Sequence, residues 1–148
     1  MQTALESDTG GFPAVKTKAL GALGFILFFQ QDYERAIVAL EEALGLNEEL
    51  GDSSGAAFAL GNFGRAVLHG VYRGRVPTFV REAEALMRAD LDDCARAFLS
   101  IVRASATIGQ GDLDAAVPQL EESLALCREL GDRRSASMAL FILGMTEL

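Results

Sequence analysis

The side chains able to do chemistry are few and far apart. Asp90, Asp92 and Asp93 crowd three carboxylates together, the ligand type a hard cation prefers. The glycine that bends a calcium loop and the distant glutamate that closes it are missing. These aspartates therefore read as N-cap residues, accepting from orphan backbone N–H groups at a helix start. Cys94 and His69 could make a thiolate nucleophile only if the fold brought them together, and nothing local pairs them. Gly109-Gln110-Gly111-Asp112 is too short and too turn-like to cradle a phosphate, and neither GxxxxGK nor GxGxxG occurs. His69 is the single histidine, so no second imidazole exists for a metal or a relay. Cys94 and Cys127 have no CxxC spacing and read as ordinary small apolar residues. No catalytic residue, metal site or cofactor is expected.

A second set of residues has spacing rather than reactivity in its favour. Asn62, Arg65 and His69 recur at three and four, which on a helix places them on one face. That face is either a polar contact for a partner or simply solvated. Arg73, Arg75, Arg81 and Arg88 make the following segment basic; they read as solvated arginines, or as a contact for an acidic partner or a second subunit. The whole chain carries a formal net charge of −8. That acidity excludes the broad cationic surface of non-specific nucleic-acid binding and disfavours an anionic membrane.

These residues must be positioned by helices. With 148 residues, half of them hydrophobic, the chain can bury a sizeable core. Leu40 to Gly64 aligns without gaps on Leu120 to Gly144, at an offset of 80, with 13 of 25 positions identical. Two repeats of about 40 residues explain that offset, and such a period signals a helical solenoid. Apolar residues recur at three and four, as in Val38, Leu40, Ala43, Leu44 and Leu46. The pattern predicts helices over 14–30, 33–49, 54–71, 77–88, 92–109, 113–130 and 134–148, after a flexible lead-in over 1–13. Gly51-Asp52 and Gly131-Asp132 supply a left-handed helix end followed by an N-cap. Pro77 suits a first helical turn, whereas Pro118 falls inside a helix and should remove a backbone hydrogen bond. The middle repeat has two registers: aligned on Gly74 its turn lies 43 residues after the first and 37 before the third, and aligned on Ala83 the spacing is a strict 40. The apolar run Ala19 to Phe29 is shorter than the roughly 20 residues of a bilayer span and reads as buried helix. Met1 to Gly11 lacks the features of a secretory signal, so the cytoplasm is the expected compartment.

The segment Gln31-Asp32-Tyr33-Glu34-Arg35-Ala36, continuing to Leu40, Ala43 and Leu44, resembles the second half of a tetratricopeptide repeat. Gly111-Asp112-Leu113-Asp114-Ala115-Ala116, continuing to Leu120, Ser123 and Leu124, resembles it again. The first half is present as Leu20, Leu23, Gly24 and Leu27, then as Gly64 and Leu68, as Ala104, and as Leu140, Leu143 and Gly144. Small residues at Ala36, Ala43, Ala116 and Ser123 suit close helix approach, while Tyr33, Leu40, Leu113 and Leu120 would fill the space between pairs. The resemblance implies an all-α, right-handed α-solenoid of stacked antiparallel helix pairs, about seven helices in all. Its repeats would span 17–52, 54–90, 92–132 and, in part, 134–148 of a domain over 14–148. The family's usual closing proline is replaced by Glu48 and Arg128, and the repeats are long. This variety looks like the arrays of bacterial signalling ATPases and transcriptional activators, which act as sensor or partner-binding arms.

The resemblance further implies a concave groove lined by the first helix of each pair. That places Lys18, Phe25, Phe28 and Phe29, then Phe58, Asn62, Arg65 and His69, then Phe98, Ile101, Val102 and Ser105 on it, and finally Met138, Phe141 and Met145. An apolar stripe of this kind is also what a core presents, and Phe25 and Phe28 fit either. The groove lacks the ordered lysines, arginines and asparagines with which some family members clamp a terminal carboxylate; only Lys18, Asn62 and Arg65 could contribute. A protein or peptide partner is expected, with no direct nucleic acid and no membrane. Solenoids need a polar cap on the terminal face. The apolar last helix, with Met138, Phe141, Ile142 and Met145, therefore points to an excerpt of a longer array or to a homo-oligomer.

Overall fold

The computed structural model describes residues 11–147, and residues 1–10 of the lead-in expected over 1–13 lie outside them. Seven α-helices follow one another among the described residues: α1 (Gly11–Phe29), α2 (Tyr33–Glu49), α3 (Ser53–Val67), α4 (Val76–Met87), α5 (Asp93–Gly109), α6 (Leu113–Leu130) and α7 (Arg133–Thr146). A 3-10 helix, Gly70–Arg75, separates α3 from α4. The first helix begins at Gly11 rather than after Pro13, and Pro13 sits in its opening turn, where a missing N–H costs nothing.

One local device starts five of these helices. Asp32, Asp52, Asp92, Asp112 and Asp132 each accept from the backbone N–H three residues on, at 2.8 to 3.3 Å. They fall on a 20-residue grid from which position 72, a tyrosine, is missing. Without that cap, α3 ends at Val67 instead of running to residue 71, the chain tightens into the 3-10 segment, and α4 starts behind Arg75 with no side-chain cap. Both registers of the middle repeat consequently hold, for different atoms. The start of α4 lies 43 residues after that of α2 and 37 before that of α6. Ala83 is buried like Ala43 and Ser123, in strict 40-residue register. Arg96 fastens the far end of α4 by donating to the carbonyls of Met87 and Ala89 at 2.9 and 3.0 Å.

Before the capping aspartates, Gly51, Gly111 and Gly131 take positive φ as helix-ending residues. Gln31 occupies the same place with φ 63° and has a Cβ. Gln31→Gly is therefore expected to stabilise the fold by about 1 kcal/mol, the scale of the left-handed penalty; urea unfolding measures it, and no gain would contradict a strained turn here.

Consecutive helices pack as pairs, and α1, α3, α5 and α7 form a row. Ala36, Leu40, Ala43, Ala116, Leu120 and Ser123 are all buried, as close-approach and filling positions should be. Gly24 lets the Leu40 side chain press on the α1 backbone, and Gly64 does the same for the ring of Phe79. Leu113, expected between pairs, is instead 42% exposed at the first turn of α6, and Val38 faces outward. Gly144 meets nothing, because among the described residues no further helix packs on α7 beside it. Two apolar clusters result, one across α1 to α5 and one across α5 to α7. Helix α5 feeds both, turning Phe98, Leu99 and Val102 to the first and Ala97, Ile101 and Ala104 to the second.

Helix α1 departs most from expectation. Only Thr17, Gly24 and Leu27 are buried along it, while Phe12, Val15, Leu23, Ile26 and Phe29 are exposed. At 19 residues and a mean hydropathy of 1.4 it is long and apolar enough, by length and composition alone, to cross a membrane. It packs as the first helix of a pair: the Thr17 hydroxyl donates to the carbonyl of Ala43 at 3.0 Å, and Lys16 pairs with Glu42 at 2.8 Å. Its outer face is uncovered because it stands at the end of the described stack.

Candidate functional site

Between α1 and α3 lies an open groove of about 570 Å³. It exists because these two helices touch only lightly. The corresponding space between α3 and α5 is filled: the Phe98 ring lies against Gly61 and stacks on Phe58 at 5.5 Å. The groove walls are Lys18, Gly21, Ala22 and Phe25 on α1 and Phe58, Ala59 and Asn62 on α3, with Arg134 of α7 reaching in. Its floor is polar and internally satisfied, since the carbonyl of Ala43 accepts from Thr17 and from the amide of Asn47 at 2.9 Å. An apolar trough with few polar groups is the usual form of a ligand site.

A chain of aromatic rings borders the groove. Phe25 meets Phe29 at 4.8 Å, Phe29 meets Phe28 at 5.4 Å, Phe28 meets Tyr33 at 5.7 Å, and Tyr33 stacks on His69 at 4.3 Å, 11° from parallel. Two guanidinium groups sit on this ribbon. Arg65 lies 4.5 Å from the centre of Phe28 and 5.6 Å from that of Phe29, and Arg134 lies 5.0 Å from that of Phe25. Such contacts are attractive because the ring face is electron-rich. Burial, helped by the Arg134 charge, lowers the Arg65 pKa from its ordinary value.

The structure therefore divides the sequence candidates. Lys18, Phe25, Phe58 and Asn62 line the groove. Arg65 and His69, one and two turns beyond Asn62, join the aromatic ribbon instead of a free polar face, because Phe28 and Tyr33 lie beneath them. Phe29 is 61% exposed at the ribbon's edge. Phe98, Ile101 and Val102 are not groove residues: they are buried in the core, where Gly61 leaves room for Phe98 and α5 is covered on both sides. Ser105 lies elsewhere, donating to the carbonyl of Ile101 and facing a cavity with Arg73 and Pro77. On α7, Met138 packs inward against both clusters and Ile142 is buried, whereas Phe141 is 67% exposed and Met145 is open. Ile142 thus leaves the candidate self-association surface. Arg134 was missed. It precedes Met138, Phe141 and Met145 at spacings of four, three and four, so extending that stripe by one turn would have found it.

The basic segment is partly structural. Arg75 pairs with Glu41 and lies over Phe63, and Arg73 donates to the carbonyl of Leu68. Burial, followed by the Asp132 carboxylate, pushes the thiols of Cys94 and Cys127 up, which disfavours the nucleophilic thiolate. Gly51-Asp52-Ser53-Ser54-Gly55 spells the GxSxG of serine hydrolases. A nucleophile elbow needs a strand before its turn, and here α2 precedes it. Ser53 and the single histidine, His69, stand at opposite ends of α3, about 24 Å apart at the helical rise, so they cannot pair. Among the described residues no cluster of histidine, cysteine, aspartate or glutamate could hold a metal ion.

Comparison with family models matches residues 17–50 to the tetratricopeptide repeat. Residues 17–50 are a tetratricopeptide repeat. The matched span runs from Thr17 to Leu50 and so comprises most of α1 and all of α2. Tetratricopeptide repeats generally mediate protein–protein interactions and are typically non-catalytic. Comparison with curated proteins returns no match.

Proposed function

We propose that this protein is a non-enzymatic interaction scaffold or regulatory arm, acting in the cytoplasm, that holds a segment of a protein partner in the groove between α1 and α3. The observation that carries this reading is the groove itself. A tetratricopeptide repeat and its neighbour stand apart by about 570 Å³ of mainly apolar space, while the next gap in the row is filled by Phe98. The resemblance to repeat arrays of bacterial signalling proteins supports a sensor or partner-binding role, as an analogy of fold.

Gly21 provides the test. It lines the groove, and a Cβ there would meet nothing within 4 Å, so Gly21→Phe should plug the groove without disturbing the packing beneath it. Peptides selected by display on the full chain are expected to bind wild type and not Gly21→Phe, with melting unchanged or raised by the gain in helix propensity. Undiminished binding to the plugged variant would contradict the proposal.

Self-association is a second reading, supported by Leu140, Phe141 and Met145, which are exposed together on α7. It calls for a sedimentation-measured size that grows with concentration and for Phe141→Asp to hold the chain monomeric. A wild-type chain that stays monomeric at high concentration removes this reading.

A further inference from the structure

A smaller cavity of about 270 Å³ lies away from the groove, between α5 and α6 and beside the last turn of α4. Its walls carry polar groups that the fold leaves without partners. Ser105, Thr107 and Ser137 return their hydroxyls to the carbonyl four residues back, the usual satisfaction of a helical hydroxyl. Ser123, on the cavity wall, is only 5% exposed and makes no such bond among the described residues. Gln119, one turn earlier, buries its Oε1 without a donor. Arg103 of α5 and Glu122 of α6 line the same cavity with opposite charges, yet the ion pairs among the described residues are Lys16–Glu42, Arg35–Asp32 and Arg75–Glu41. Arg96 is committed, its two terminal nitrogens donating to the carbonyls of Met87 and Ala89. A buried acceptor without a donor, beside opposite charges that do not pair, is the arrangement expected where a bound molecule supplies the missing groups.

We propose that this cavity binds a free α-amino acid with a short apolar side chain. Arg103 takes the carboxylate, which its planar guanidinium fork matches, and the Ser123 hydroxyl donates to it as well. The ammonium group has three donors, and Glu122 and the Gln119 oxygen accept from it. The Gln119 amide turns about a single bond, so a donor placed in the cavity can meet it. Met87, Ala97 and Leu126 supply the apolar part of the wall, against which the side chain rests. The volume falls just below the roughly 300–1,000 Å³ of sites for drug-sized molecules, which is small for a peptide segment and suits a single amino acid. The inference goes beyond the groove reading and does not depend on it, since no residue lines both spaces.

The probes are free L-alanine, L-valine and L-leucine, each with its N-acetyl and its carboxamide form, titrated into the full chain to on the order of 10 mM, enough to fill a site of millimolar affinity. At least one free amino acid should raise the melting temperature saturably, by a few degrees, and shift the side-chain amide signals of Gln119. The N-acetyl form lacks the ammonium and the carboxamide lacks the carboxylate, so each should bind about tenfold or more weakly, the scale of a charge-assisted hydrogen bond. Arg103→Met should erase the preference for the acid over the carboxamide, and Glu122→Gln the preference for the amine over its N-acetyl form. Glu122 is exposed, so its variant folds even if that of Arg103 is impaired. Gly21→Phe should bind the amino acid as wild type does. No saturable response to any of the three, equal binding of the blocked forms, or preferences that survive both changes overturns the site. A response lost in Gly21→Phe overturns it too, by placing the amino acid in the α1/α3 groove.

Discussion

Phe79→Ala is expected to lower the free energy of unfolding by about 3–5 kcal/mol, the range for truncating a fully buried phenylalanine. Phe79 is 0% exposed, and its ring lies where a Cβ on Gly64 would have to go, so the two residues form one close approach between α3 and α4. Helix α4 depends on it unusually heavily, being the short helix that lacks an aspartate cap and has only Phe79 and Ala83 fully buried. Urea unfolding gives the loss, and a value below about 1 kcal/mol would mean that the site collapses around the deletion. The glycine partner gives a sharper contrast. Gly64 and Gly144 align in the 80-residue match, yet Gly64→Ala should destabilise by overlap with Phe79, whereas Gly144→Ala, with open space around it, should stabilise by up to about 1 kcal/mol through helix propensity.

Leu40→Ala is expected to cost about 2–5 kcal/mol and to release α1 in particular. Leu40 is 0% exposed and fills the notch left by Gly24. The other ties of α1 include the Thr17 hydrogen bond, Leu27 and the exposed Lys16–Glu42 pair, and exposed ion pairs contribute only about 0–1 kcal/mol. Hydrogen exchange along α1 should therefore accelerate far more than along α6, and the groove should lose its peptide. Leu120→Ala offers the control: it is equally buried, but in the second cluster, so it should cost a similar amount and leave the groove's affinity intact. Loss of peptide binding in both variants, or in neither, would contradict the placement of the groove.

Most of the architecture was legible because it is written in local rules. The Asp52 and Asp132 caps, the positive-φ glycines and the small residues at Ala36, Ala43, Ala116 and Ser123 act within one helix pair and recur with the repeat. The site was harder, because it depends on where the repeat fails. Phe98 follows Phe58 by one 40-residue repeat, and spacing does not reveal that Gly61 lets Phe98 swing into the core. Arg65 and His69 lie on one face as expected, but the rings beneath them come from α1 and α2, far away in sequence. Arg134 reaches the groove from the last helix, a contact no pairwise repeat rule implies. The uncovered outer face of α1 follows from its position at the end of the described stack and not from its composition.

The central claim is that the space between α1 and α3 is where a partner binds. Side-chain chemical-shift mapping of the full chain with a display-selected peptide tests it most directly. The expected result is a set of perturbations confined to the groove walls, at Gly21, Phe25, Phe58 and Asn62. Perturbations centred on Leu140, Phe141 and Met145 of α7, with the groove signals unmoved, would contradict it.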